Sequence, residues 1–225
     1  MADVAWGIGF ILLALIGLIF NPTTRMMLIT ILILIWGLRL SLHIGRRFLR
    51  SKEEDHRYQS MRKEWKGSEI FNSWLRVFMI QGFFLLVTSA TIVTISVFDK
   101  GGWEFVNAIG IMLWLVGFIF EVVGDSQLKR FVQTNKQAGA IMKTGLWKYS
   151  RHPNYFGEAL MWWGIWIVSW GIPFFWIGVI SPITINSLLR FVSGVPMAEK
   201  RYDNNTEFLE YKKKTPPMIP NFFIK

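Results

Sequence analysis

Six stretches of the chain stay apolar for about the length a membrane helix needs, near 4–20, 26–44, 77–98, 105–123, 155–170 and 174–192. About 20 residues at a rise of 1.5 Å cross a hydrocarbon core roughly 30 Å thick. The pattern therefore predicts an all-α fold, a polytopic membrane helical bundle of about six transmembrane helices. No long Pro/Gly/Ser linker, internal repeat or low-complexity tract interrupts it, so residues 1–225 read as a single domain. Gly171 and Pro173 mark a tight turn between the fifth and sixth stretches, and Pro182 is expected to kink or interrupt the sixth. The first stretch has no basic segment before it and no clear small-residue cleavage site after it, so it reads as a retained span rather than a signal peptide.

Charge gives the bundle an orientation. Of the 25 Lys and Arg residues, eight lie between Arg46 and Lys66, six between Lys129 and Arg151 and six between Lys200 and Lys225. With six spans, these three segments share one side, and the other side carries only Arg25 and Lys100. The positive-inside rule then puts both termini in the cytoplasm. A chain of 225 residues that is 52% hydrophobic and still carries a net charge of +10 is what apolar spans alternating with basic loops produce. Topology and anionic lipid account for the basic balance, and no nucleic-acid partner is implied. The absence of cysteine excludes disulfides, thiolate catalysis and Cys-ligated zinc, and three histidines, His43, His56 and His152, do not suggest a metal centre. The charged segment from Glu54 to Trp65 reads as a solvated amphipathic loop.

The chemistry concentrates in GLWKYSRHPNYFGE, Gly145 to Glu158. Pro153 lacks an N–H and has a preset φ, so a helix is expected to start there. Its free N–H groups lie beside Lys148, Arg151 and His152, a combination suited to phosphate. Asn154 and Glu158 share a face four residues apart, and Trp162 extends that face by a turn, offering groups for a nucleotide's amides and hydroxyls. Glu158 at the start of a span is costly without a partner. Upstream, Glu121 and Asp125 form an i, i+4 carboxylate pair at the end of the fourth stretch, with Lys129 and Arg130 one turn later. The pair has the acceptors for a ribose or a carboxamide; an Asp125–Lys129 helix-end ion pair is the plainer reading. Arg39 and His43 repeat the i, i+4 spacing in the second stretch and face the bundle interior if they avoid lipid, although His43 also suits an interface position.

Several segments resemble one family of membrane proteins, the uncharacterised domains related to steroid 5-alpha-reductases. They are DVAWGIGF at 3–10, WGLRL at 36–40, EDHRY at 54–58, FEVVGDSQLKRF at 120–131, GLWKYSRHPNYFGE, SGVPMAEKRY at 193–202 and EYKKKTPPMIP at 210–220. The resemblance implies an NADPH pocket open to the cytoplasm, contacted by Glu121, Asp125, Lys129, Arg151, His152, Asn154, Tyr155, Glu158 and Trp162, with Tyr211 closing over it. It implies hydride transfer to the C=C bond of an α,β-unsaturated ketone or enoyl lipid, a hydrophobic substrate drawn from the bilayer of a bacterial inner membrane or the endoplasmic reticulum. The family's carbonyl-polarising acid corresponds to Asp3, but Trp36 stands about where its tyrosine partner is expected, so Arg39 or His43 becomes the substitute donor. Lys200 and Asn204 replace the family's C-terminal His and Tyr contacts. S-adenosylmethionine-dependent membrane methyltransferases of the isoprenylcysteine or phospholipid type carry a similar RHP-x-Y-x-G segment and form the alternative reading; a lipid-binding protein without cofactor is a third.

Overall fold

The computed structural model describes residues 2–50, 65–135, 137 and 139–223, with backbone alone at 2–4 and 47–50. The charged loop expected over 54–65 thus falls outside the described residues, apart from Trp65. The described residues are helical, with no strand among them. In chain order the α-helices are α1 Ala2–Phe20, α2 Thr24–Arg50, α3 Glu69–Ser73, α4 Ile80–Thr88, α5 Ala90–Phe98, α6 Phe105–Thr134, α7 Pro153–Val168, α8 Ile180–Ser187, α9 Val195–Glu199 and α10 Thr206–Lys214. A π-turn over Trp74–Met79 joins α3 to α4, and a second, Leu188–Val192, follows α8.

Among the described residues, four helical runs are long and apolar enough to cross a membrane: Thr24–Arg46, Glu69–Thr88, Phe105–Thr134 and Phe175–Tyr202. The first predicted stretch forms the shorter apolar run Ala5–Phe20. The fifth forms the 16-residue α7, roughly 24 Å long at 1.5 Å per residue. The third is broken at Ser89 (φ −80°, ψ 2°), whose hydroxyl folds back on Leu85 O at 2.7 Å. Pro182 lies in the first turn of α8, where its missing N–H breaks no helical bond. The backbone before α8 is a 3-10 helix, Phe175–Val179, so the expected interruption takes the form of a change in helix type.

The chain divides into two compact units, 1–102 with 172–178, and 103–171 with 179–225. In the first, Phe10 packs on Trp36 at 5.7 Å between ring centroids, and both are buried. Arg25 and Asp99 form a buried ion pair. Arg25 also donates to Gly102 O at 3.0 Å and Asn21 to Asp99 O at 2.8 Å, so the α1–α2 turn is clasped to the end of α5. Arg25, which lies outside the three basic segments, is thereby neutralised inside the protein.

The second unit is built on α6 and α7. Gly110, Gly117 and Gly124 recur every seven residues, two turns, and so share one face of α6. That face meets Gly164, Gly157 and Asn154 of α7. A Cβ on Gly117 would lie 2.5 Å from Gly157 O, and one on Gly110 2.6 Å from Gly164 O. The two backbones approach until no side chain fits between them, the contact by which helices associate when lipid removes the hydrophobic drive. Asn107, fully buried, closes the far end by donating to Val168 O at 3.0 Å and Trp170 O at 3.1 Å. Gly117→Ala is therefore expected to destabilise the detergent-solubilised protein by about 1–3 kcal/mol, the usual cost of overpacking. Gly82→Ala, where an added Cβ meets nothing within 4 Å, is expected to leave the thermal midpoint unchanged or raise it.

Candidate functional site

α7 begins at Pro153, as its chemistry requires, with Pro in the first turn and a non-helical backbone at His152 (φ −141°, ψ 69°). Because α6 and α7 touch at Gly124 and Asn154, the carboxylates late on α6 lie beside the polar start of α7. Asn154 Nδ2 donates to Asp125 Oδ1 at 3.1 Å, while Asn154 Oδ1 is buried with no hydrogen-bond partner among the described residues. A buried amide oxygen without a donor costs about 1–3 kcal/mol, so this atom is left as an unsatisfied acceptor at the start of α7. Glu121, one turn before Asp125, is buried, and its backbone packs against Gly157. Glu158 is half-buried and Trp162 fully buried further along α7, whereas Lys129 is exposed.

The loop ahead of α7 is fastened from two sides. On α6, Gln127 accepts from Leu146 N at 3.0 Å, and Gly124 O accepts from the Trp147 indole at 3.1 Å. Gly145, at φ +63°, leaves room for Gln127. From the C-terminal segment, Arg151 N donates to Pro216 O at 2.9 Å, Ser150 Oγ to Met218 O at 2.6 Å, and the Tyr211 hydroxyl to Trp147 O. Burial raises the Tyr211 pKa, so its phenol stays protonated and committed to that bond.

One carboxylate organises the cations. Glu199, at the end of α9 and buried, accepts from Arg151 Nε at 2.8 Å and faces His152 Nε2 at 3.0 Å and Lys212 Nζ at 3.2 Å. Arg151 Nη1 also donates to Thr215 O at 2.6 Å and Lys212 O at 3.1 Å. The predicted trio is therefore divided: Arg151 and His152 turn inward onto Glu199, while Lys148 is exposed with its ammonium over the Tyr149 ring. Burial lowers the His152 pKa despite the Glu199 hydrogen bond, and the charges of Arg151 and Arg190 act in the same direction as burial. A neutral imidazole donating Nε2–H to Glu199 leaves Nδ1 as an acceptor. The imidazole stacks on Tyr155, with centroids 5.0 Å apart and planes 6° apart.

His152, Tyr155, Asn154, Glu199 and Tyr211 line a cavity of about 130 Å³, together with Trp147 and the stacked pair Tyr202–Phe208. That volume suits one planar ring or one phosphate, not a whole dinucleotide, but its composition fits a nucleotide: aromatic walls and an unsatisfied amide acceptor. Sequence reasoning missed Glu199, Tyr202 and Trp147 as site residues. The signal for Glu199 was a lone carboxylate within SGVPMAEKRY, just ahead of Lys200 and Arg201. Of the residues expected to polarise a substrate, Arg39 and His43 lie on α2 in the first unit, partly exposed one turn apart. Asp3 is on α1, its side chain outside the described residues. Trp36 is a core residue.

Residues 1–215 match the family described as "Protein of unknown function (DUF1295)". The chain belongs to that family. It is 32% identical to the rat 3-oxo-5-alpha-steroid 4-dehydrogenase 1 over 113 residues, 49% of this chain and 40% of the relative. It is 34% identical to the Arabidopsis thaliana steroid 5-alpha-reductase DET2 over 76 residues, 32% of this chain and 28% of the relative. A Schizosaccharomyces pombe protein, "Uncharacterized protein C594.04c", is 23% identical over 199 residues, 73% of this chain and 57% of the relative. The chain thus spans less than two thirds of the length of each of these relatives. No solved structure matches it. Membership of the DUF1295 family agrees with the motif resemblance and with an integral membrane protein of apolar helices.

Removing Glu199 would leave Arg151 buried without its counter-charge. Glu199→Gln is expected to lower stability by about 3–5 kcal/mol, the usual cost of breaking a buried ion pair from one side, read as a fall in thermal midpoint. Because the folded-state pKa of His152 is lowered, the unfolded chain binds a proton that the folded chain refuses as pH drops below the ordinary imidazole value of about 6.5. The stability that neutral His152 contributes is complete above that pH and is lost below it. Thermal midpoints are expected to decline on acidification through that range in the native sequence, and less steeply in His152→Gln.

Proposed function

We propose that this chain is an NADPH-dependent membrane reductase that acts on the C=C bond of an α,β-unsaturated ketone or enoyl lipid, steroid-like or otherwise hydrophobic, taken from the bilayer. The observation that carries the reading is Asn154: its amide nitrogen is held by Asp125 while its buried oxygen meets no donor among the described residues, in a chain similar to steroid 5-alpha-reductases. An amide of this kind pairs with a carboxamide or ribose group, which satisfies the acceptor.

NADPH supplies the hydride. The protein's part is to bind and orient it. Asn154 and Asp125 offer one end of the site an acceptor pair; Glu121, Glu158 and Trp162 lie off the cavity lining, and only the family resemblance carries them as cofactor contacts. Tyr155 and His152 offer a stacked face. Arg151 fixes the loop on Glu199, Tyr211 ties the C-terminal segment to it, and Lys129 at the exposed end of α6 suits a phosphate. For polarising a substrate carbonyl, the family resemblance puts forward Asp3, Arg39 and His43. Both termini and the cofactor site face the cytoplasm in this reading, supported by the concentration of Lys and Arg in the segments 46–66, 129–151 and 200–225.

A ligand that binds only the folded state raises the melting temperature. Detergent-purified protein is expected to be stabilised by NADPH and not by S-adenosylmethionine, and Asn154→Ala to weaken NADPH binding about tenfold, one hydrogen bond's worth. Glu158→Ala is expected to weaken it too while leaving membrane insertion intact. Stabilisation by S-adenosylmethionine alone would replace the reductase with a methyltransferase, and no response to either ligand would favour a lipid-binding protein.

A further inference from the structure

After α10 the chain runs as a strap of successive bends, and its end is unusual for a loop. Ile219 is 74% exposed and Phe223 is 94% exposed, although the backbone around them is fixed. Asn221 N donates to Tyr149 O at 2.9 Å, Met218 O accepts from Ser150 Oγ, and Asn221 Oδ1 accepts from Phe223 N at 3.0 Å in a tight turn. Phe222 packs on Tyr149 with centroids 5.1 Å apart. Two large apolar side chains are thus held out from the protein by a hydrogen-bonded turn. One helix upstream, Lys212, Lys213 and Lys214 form an exposed basic cluster in the last turn of α10.

The depth of this strap can be read from α6. Gly124 lies nineteen residues after Phe105, the first residue of that helix, or about 29 Å at 1.5 Å per residue. That is close to the roughly 30 Å thickness of a hydrocarbon core. If the apolar start of α6 lies at one boundary of the bilayer, Gly124 lies at the other. The Trp147 indole, bonded to Gly124 O, is then at headgroup level, where tryptophan concentrates. Tyr149, two residues on, carries the strap at the same level. Exposed aromatic and aliphatic side chains next to a lysine cluster at this depth have the composition of an interfacial anchor, whose apolar part enters the headgroup–acyl boundary while its cations meet lipid phosphates.

We infer that residues 218–223 are a membrane-surface anchor, with Ile219 and Phe223 inserted into the interface of an anionic leaflet and Lys213 and Lys214 on its phosphates, Lys212 being held by Glu199. Through Tyr149, Ser150 and Arg151 the anchored strap holds the loop that precedes α7, so the lipid surface braces one wall of the cavity. The inference stands on exposure, depth and charge and does not depend on which cofactor the cavity takes.

The chain has no cysteine, so single sites can be labelled. Phe223→Cys and, separately, Ile219→Cys would carry an environment-sensitive fluorophore in nanodiscs of phosphatidylcholine with or without phosphatidylglycerol, with Asn204→Cys as the exposed polar control. The expected result is emission at shorter wavelength for positions 219 and 223 than for 204, quenching by lipids spin-labelled near the top of the acyl chain, and a stronger effect with phosphatidylglycerol that high salt reduces. Water-like emission from both positions in both nanodiscs, without lipid quenching, would overturn the inference. So would thiol cross-linking of the Phe223→Cys variant between two copies in place of lipid quenching, because it would assign the surface to a second protein chain.

Discussion

Everything near the cavity depends on how closely α6 and α7 approach. With glycine at 110, 117 and 124 on one helix and at 157 and 164 on the other, backbone packs on backbone, and the carbonyl of one glycine fills the space where its partner's side chain would stand. A bulkier residue would push the helices apart and carry Asn154 away from Asp125, because both sit one to two turns beyond the tightest contact. In a membrane, where apolar side chains gain little by leaving lipid for protein, such close van der Waals contact is a main source of helix–helix stability. The interface therefore sets both the strength of the hairpin and the register of its polar residues.

Glu199 is the second organising element. Its single negative charge faces Arg151, Lys212 and the imidazole of His152 in a buried setting. Burying a carboxylate is expensive unless it is paired and hydrogen-bonded, and here three partners from two separate segments meet that requirement. The same contacts fix His152 as a neutral ring stacked on Tyr155 and bind the segment around 212–215 to the loop before α7. The cations that spacing alone suggested for a phosphate are thereby assigned to different tasks: Arg151 braces the loop, His152 forms part of the cavity wall, and Lys148 stays on the surface. What remains for a ligand is an aromatic slot beside the unsatisfied acceptor of Asn154, a combination that suits a planar ring bearing an N–H or O–H donor.

Much of the hairpin was legible from particular residues. Pro153 announced the start of α7, because only the first turn of a helix tolerates a residue without an N–H. The i, i+4 spacing of Glu121 and Asp125 put them on one face of α6. The glycine spacing of seven was present in the sequence as well, but a stripe of small residues has no stated partner until two helices are seen to cross. Glu199 was harder to find. It lies 47 residues beyond His152, in a segment whose local pattern shows only a short helix and a basic turn.

The sequence by itself determined the class of protein and its local elements: apolar stretches matched to bilayer thickness, basic loops, a proline-led helix and motifs shared with the DUF1295 family. Those features follow from the chemistry of neighbouring residues, which the chain order states directly. Only the tertiary structure decided which cations are neutralised and which acceptor stays unsatisfied. Each of those outcomes depends on groups distant in sequence meeting in a low-dielectric interior, where a partner's presence or absence outweighs local preference.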